Sequence, residues 1–204
     1  MSNKADDGDK IGETNSQINY GTKYTYGDYL TWDDGKRYEL IDGEIYIMSP
    51  APGRIHQKIL GNLHWQFYGY LKDKKCEVYF APFDLRLPEG NEDDKDILTV
   101  VQPDLIVVCD QDKLDERGGR GAPDLVVEIL SPTSEKRDRE IKKDLYERHG
   151  VREYWIVDYQ NSIVEVYPLK NGKYGKPDIY SKEDNLPVSI FSDFRIDLKS
   201  VFSL

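Results

Sequence analysis

Two apolar runs constrain this chain most, Asp104-Leu105-Ile106-Val107-Val108-Cys109 and Asp124-Leu125-Val126-Val127-Glu128-Ile129-Leu130. Their apolarity is continuous rather than alternating, which requires burial on both faces and makes them central strands of a covered sheet. Each follows a proline, Pro103 or Pro123, and the second is closed by Ser131-Pro132. Glu128 stands inside the second run, where stability alone gives no reason for a carboxylate. Asp124 and Glu128 share a face of that strand, but four residues separate them by ~13 Å, too far to hold one ion. Asp104, on the other strand, can lie opposite Glu128 if the two strands pair. Two carboxylates and a main-chain oxygen would then form a hard-ligand site for magnesium or manganese. The plainer alternative makes Asp104 a post-proline turn residue and gives Glu128 a salt bridge to a helix. Two buried acids without an opposite charge would raise each other's pKa or demand a cation, which favours the metal. Asp124, at the start of its strand, is expected to satisfy a turn or a main-chain amide.

Ser134 is placed to cap a helix from Glu135 to Arg148, and Gly150 sits where a left-handed C-terminal cap belongs. Ile141 and Leu145 mark its buried stripe, with Lys142 at the border one turn before Tyr146. A lysine there can lay its aliphatic stem over the sheet and bring its ammonium to the carboxylates. The competing reading is a solvated Asp138–Lys142 pair four residues apart.

The remaining chain reads as one α/β or α+β domain. Residues 1–22 are polar and acidic and are expected to form a disordered tail, leaving 23–204 as a single domain. Thr25 with Asp28 caps a short helix. Tyr38–Ile41 and Glu44–Met48 flank Asp42-Gly43, a strong hairpin signal. Ser49-Pro50 ends that strand, and Ile55, Ile59, Leu63, Phe67 and Leu71, spaced by four, predict a helix that lies on a sheet. Cys76–Phe80 and Phe83–Leu87 read as strands split at Pro82, followed by an acidic surface loop over 89–96. Gly118-Gly119-Arg120-Gly121 reads as a flexible loop without phosphate-binding spacing, so no nucleotide cofactor is expected. Strands at Glu153–Val157 and Ile163–Tyr167 and short C-terminal edge strands complete the pattern.

With 204 residues and a formal charge of -10, the chain can build one sizeable core and lacks the broad basic face that salt-driven nucleic-acid binding uses. Cys76 and Cys109 have no metal-ligand spacing and are expected as reduced packing residues of an intracellular protein. No apolar leader or membrane-length run is present in the sequence, so the expectation is a cytoplasmic protein without membrane contact.

Pro103-Asp104, then Glu128 in an apolar strand, then a helix lysine resembles the PD-(D/E)xK nuclease superfamily. More narrowly, Tyr38-Glu39-Leu40-Ile41-Asp42-Gly43-Glu44, Ser49-Pro50 with His56, the run Pro123 to Pro132, and Gly150-Val151-Arg152-Glu153-Tyr154-Trp155-Ile156-Val157-Asp158 resemble the restriction-endonuclease-like family called Uma2. The resemblance runs from about Tyr24 to the C-terminus. It implies a restriction-endonuclease-like core: a central mixed β-sheet flanked by helices, with an N-terminal hairpin and C-terminal edge strands. It also implies metal-dependent DNA cleavage and a homodimer. The superfamily lysine would fall two residues after Glu128, which here is Leu130, so the resemblance places the basic group on the following helix. Lys142 is the candidate and Lys143 its neighbour. An accessory acid is implied from an early element, Glu44 first and Glu39 second. Asp104 and Glu128 would ligate Mg2+ or Mn2+ with the carbonyl of Ile129, and His56 is either structural or a phosphate contact. The rival class is a non-catalytic binding or regulatory module on the same fold. The helix from Glu135 to Arg148, with six basic and five acidic residues, is barely positive.

Overall fold

The structure, a computed structural model, describes residues 21–48 and 51–203; the expected N-terminal tail (apart from its last two residues) and the Ser49-Pro50 break lie outside the described residues. Among the described residues there are fifteen strands and four α-helices, and most of the strands form two principal sheets. The first runs β2 (Glu44–Ile47), β1 (Tyr38–Ile41), β5 (Val100–Val101), β4 (Leu85–Arg86), β8 (Gly118–Arg120), β7 (Leu114–Asp115). The second runs β12 (Lys173–Tyr174), β11 (Ile163–Lys170), β10 (Glu153–Asp158), β9 (Leu125–Ile129), β6 (Leu105–Val108), β3 (Glu77–Phe80), with β13 (Asp178–Ser181) also on β11. A hairpin of β14 (Asn185–Pro187) and β15 (Arg195–Asp197) stands apart. β9 is antiparallel to β6 and parallel to β10, so the second sheet is mixed, as expected.

Both faces of that sheet are covered, and the alternation of strand side chains shows by what. Leu105, Val107, Leu125, Val127, Ile129 and Trp155 pack against Ile59, Leu63, Phe67 and Leu71 of α2 (Arg54–Leu71). Ile106, Val126, Tyr154 and Ile156 turn the other way, onto Leu145 and Tyr146 of α3 (Lys143–Arg148) and onto Ile41, Leu85 and Val101 of the first sheet. Each such aliphatic side chain withdrawn from water contributes ~1.5–3 kcal/mol, which explains why the two continuous runs occupy the centre. The helix expected over 135–148 is present, but Arg137–Lys142 is wound as a π-helix ahead of α3. Gly150 takes φ +80 after it, as a left-handed cap requires.

The short helix α1 (Tyr26–Tyr29) carries the Thr25/Asp28 capping box. In the hairpin, Asp42 at φ 54 and Gly43 at φ 80 make the turn with both central residues at positive φ. A C-terminal helix, α4 (Leu198–Val201), docks near α2 and was not foreseen. Among the described residues no helix is long and apolar enough to cross a membrane.

Two expectations are corrected. Cys76 and Cys109 are not separate thiols: they form a disulfide one step beyond the Glu77–Val108 pair of the β3–β6 ladder. That antiparallel register sets them face to face, a relation invisible in their 33-residue separation. With the pair bonded, the argument for an intracellular compartment from unpaired thiols loses its support. The glycine stretch from Gly118 is likewise no flexible loop but the buried strand β8, pressed between β4 and β7. Its glycines serve close approach, and the wholly buried Arg86 bonds the Gly119 carbonyl while pairing with Asp94 and Asp115. Gly118 has φ +121, and a Cβ there would collide with the Asp84 carbonyl oxygen. Gly118→Ala is therefore expected to lower stability by ~1–3 kcal/mol in urea unfolding; an unchanged midpoint would mean that β8 moves freely.

Candidate active site

The β6–β9 ladder pairs Leu105 with Val127, so its next step sets Asp104 opposite Glu128. Asp104 Oδ2 accepts the Ile129 main-chain N–H at 2.7 Å and lies 3.2 Å from His56 Nε2 in the first turn of α2. Glu128, 4% exposed, points to the α3 side, where its Oε1 accepts Lys142 Nζ at 2.8 Å and the Tyr146 hydroxyl at 2.9 Å. Lys142 and Tyr146, four residues apart, thus share one helix face, and Lys142 is 2% exposed. The bland surface pair with Asp138 is present only as a minor part of this arrangement, at 3.9 Å. Lys143 is half-buried and places its ammonium 5.3 Å from the Tyr167 ring centre instead.

Lys142 has a second partner. Glu39, fully buried on β1, brings Oε1 within 2.8 Å of the ammonium and also accepts the Gln102 main-chain N–H at 3.0 Å. Glu44 is not brought to this point: it is exposed on β2, with the Tyr46 hydroxyl 3.4 Å away as its hydrogen-bond partner. β1 lies between β2 and β5 and is buried throughout, whereas β2 is the edge. The criterion that singled out Glu128, a carboxylate flanked by apolar residues within a strand, selects Glu39 over Glu44 in Tyr38-Glu39-Leu40-Ile41. Arg137 and Asp138 were missed as site residues altogether. The wide π turn carries both, with the Arg137 Nε 3.7 Å from Glu39 Oε2 and Asp138 buried beside Lys142. Tyr154 reaches from β10 to donate its hydroxyl to the Asp138 carbonyl at 3.0 Å. Asp124 behaves as expected, accepting the Cys109 main-chain N–H at 2.8 Å.

Asp104, Glu128, Ile129, Arg137, Asp138 and Lys142 line a cavity of about 790 Å³. Four carboxylates, those of Glu39, Asp104, Glu128 and Asp138, face two permanent cations, Lys142 and Arg137, and the imidazole of His56. The imbalance shows in the titration. Burial pushes the Glu128 carboxyl up to about 8 against the pull of Lys142, and the neighbouring Asp138, Asp104 and Glu39 charges add to the rise. Burial likewise raises Asp138 despite Lys142. For Lys142 burial acts downward, but Glu128, Glu39 and Asp138 outweigh it and hold the ammonium charged. Burial also pulls His56 down, and Asp104 more than restores it.

The donor set fits a hard divalent cation. Among the described residues the hydrogen bonds to these two acids engage Asp104 Oδ2 and Glu128 Oε1. Buried Glu39 Oε2 and Asp138 Oδ1 lack hydrogen-bond partners, and so do Arg137 Nε and His56 Nδ1, so the site keeps polar atoms of both kinds unmet. No group of three or more His, Cys, Asp or Glu side chains is arranged to hold an ion among the described residues. The expected set of Asp104, Glu128 and the Ile129 carbonyl would give only a partial shell, of the kind magnesium completes with water and phosphate oxygens. Without Lys142, Glu128 would be buried with no ion-pair partner and Glu39 would keep only the loosely engaged Arg137. Lys142→Met is expected to cost ~3–5 kcal/mol near neutral pH. A buried acid with a raised folded pKa carries no ionisation penalty below its unfolded value near 4.5, and the penalty grows above it. The loss should thus shrink in urea melts at acidic pH; a pH-independent loss would mean that Lys142 acts by packing alone.

Comparison with known proteins shows the family. The family model described as "Uma2: Putative restriction endonuclease" matches residues 26–199. The uncharacterized protein slr1290 of Synechocystis sp. is 29% identical over 183 residues, covering 85% of this chain and 84% of its own. A crystal structure of a "putative nuclease belonging to DUF820" from Anabaena variabilis superposes with a TM-score of 0.68 at 22% identity, over 88% of this chain and 97% of that one, a likeness of fold. The family match spans the hairpin that carries Glu39, both acidic strands and the π-wound helix, and on it the chain belongs to the Uma2 restriction endonuclease family.

Proposed function

We propose that this protein is a metal-dependent endonuclease that hydrolyses phosphodiester bonds in DNA, with magnesium or manganese held by Asp104, Glu128 and the Ile129 carbonyl. One observation carries the reading: Asp104 and Glu128 are opposed across the β6–β9 ladder at the wall of an open cavity, beside a buried ammonium. Family membership supports the reaction class. A bound divalent ion supplies Lewis-acid polarisation of the phosphate and a water of lowered pKa.

The chain's own residues do the rest. The Ile129 N–H and His56 fix the Asp104 carboxylate from two sides, leaving little rotamer freedom to lose on ligand binding. Tyr146 and Lys142 hold one oxygen of Glu128, so its second oxygen keeps a set direction. Lys142, kept charged by three acids, is the general electrostatic partner for negative charge that builds on the phosphoryl group. Arg137, with its guanidinium only loosely engaged by Glu39, is placed on the same wall to contact a phosphate oxygen. Glu39 acts through Lys142 as a positioning residue, the accessory role first assigned to Glu44.

Plasmid nicking in magnesium or manganese tests the proposal. Glu128→Gln and Asp104→Asn, which keep size and remove charge, are expected to lower the rate by at least ~10²-fold, and a chelator should abolish it. Glu44→Gln should leave the rate within about twofold, since an exposed side chain on another strand adds only a screened charge. Equal nicking by all three variants and wild type would end the proposal. Calorimetric titration of the ion, expected with wild type and lost in Asp104→Asn, separates a metal enzyme from a binding module.

A further inference from the structure

The long helix α2 has a composition unlike the rest of the chain. In a protein with 38 acidic and 28 basic residues, its 18 residues contain no Asp or Glu. One side is the buried stripe already described. The opposite side exposes Arg54, Gln57, Lys58, Gly61, Trp65 and Tyr68. Arg54, Lys58, Gly61, Trp65 and Tyr68 follow one another at spacings of four and three, with Gln57 beside Lys58, so they form one continuous ridge over about 21 Å of helix. Arg54 and Gln57 line the cavity that holds Asp104 and Glu128. Trp65 is 73% exposed and Tyr68 52%, and nothing in the fold accounts for leaving two large rings in water.

A second element meets this ridge. Phe80, at the end of edge strand β3 and 49% exposed, sets its ring edge-to-face against His64 at 4.6 Å, and His64 stacks on Tyr68 at 5.9 Å. Ala81 and Pro82, which follow Phe80, line the same cavity. A path therefore leaves the cavity between α2 and β3, cationic at its inner end and aromatic at its outer end.

We infer that this path binds a single strand of nucleic acid, its backbone phosphates at Arg54 and Lys58 and its unpaired bases stacked on Trp65, Tyr68 and Phe80. The inference rests on the nuclease reading for the class of polymer. Aromatic faces can stack only on bases that are out of a duplex, and stacking serves a chain whose charge of -10 gives it no broad hold on duplex phosphates. Local charge agrees, because the phosphate end of the path is the acid-free stretch of an otherwise acidic protein. The recognised chemistry is the unpaired base, which single-stranded DNA and single-stranded RNA share.

The test is fluorescence anisotropy of the full-length chain in chelator, where no cleavage can occur. Labelled oligothymidylate, oligouridylate and a DNA duplex of equal length are the probes. Tighter binding of both single strands than of duplex is expected, with quenching of Trp65 emission. Trp65→Ala and Tyr68→Ala, both at exposed positions that should leave folding intact, are each expected to weaken single-strand binding by about five- to a hundredfold. Ile179→Ala, exposed on β13, should change nothing. The contrast between oligothymidylate and oligouridylate identifies the polymer. Duplex bound as tightly as single strand would overturn the inference, and so would aromatic variants that bind like wild type. Sedimentation in which Trp65→Ala turns a dimer into monomers without loss of oligonucleotide binding would assign the patch to a second copy and overturn it too. Variants that lose binding in a protein that nicks nothing would sink the nuclease proposal and leave this one standing; nicking with unaltered binding would do the reverse.

Discussion

A single buried ammonium ties the molecule together. Lys142 lies within 2.8 Å of Glu128 on the second sheet and of Glu39 on the first, and it reaches both from the helical layer that follows β9. Burying a charge costs several kcal/mol, and only close, hydrogen-bonded opposite charges offset that cost. The arrangement is therefore intolerant: β1, β9 and the π-wound segment must all be in register before Lys142 can be buried at all. The site is thus a consequence of how the two sheets close on one another.

The same excess of acid that strains the cluster equips it for a ligand. Glu128 is held protonated at higher pH than an ordinary carboxylate because burial and three neighbouring acids oppose its charge. On the proposed reading, a divalent cation at Asp104 and Glu128 would offset part of this cost. The π winding fits this picture. It brings Arg137, Asp138 and Lys142 together on the cavity wall, and the Tyr154 hydroxyl bonds the Asp138 carbonyl. A local departure from ideal helix geometry is retained where it positions side chains.

Much of the fold was legible because its signals are local. The Asp42-Gly43 turn, the four-residue spacing along α2, Gly150 after α3 and the doubly buried runs at β6 and β9 each depend on backbone preferences or on periodicity within one element. The errors all concern relations between elements. Gly118 and Gly119 looked like freedom, yet they are absences of side chain demanded by neighbouring strands. Cys76 and Cys109 looked independent until the β3–β6 register set them opposite. Glu44 ranked ahead of Glu39 although one hairpin carries both; which strand becomes the edge depends on β5, more than fifty residues downstream.

For the site, the sequence by itself determined the residue types and their carriers: an acid inside a doubly buried strand, a second acid on its neighbour, and a lysine at the border of a helical stripe. Those are consequences of desolvation, because a charge placed among apolar neighbours has to be answered by another charge or an ion. Only the tertiary structure decided that Glu39 completes the cluster, that Lys142 rather than Lys143 turns inward, and that Arg137 and Asp138 join them. Each of those choices depends on a distance of a few ångströms between chain segments remote in sequence, and electrostatic energy at such range is set by where the segments meet.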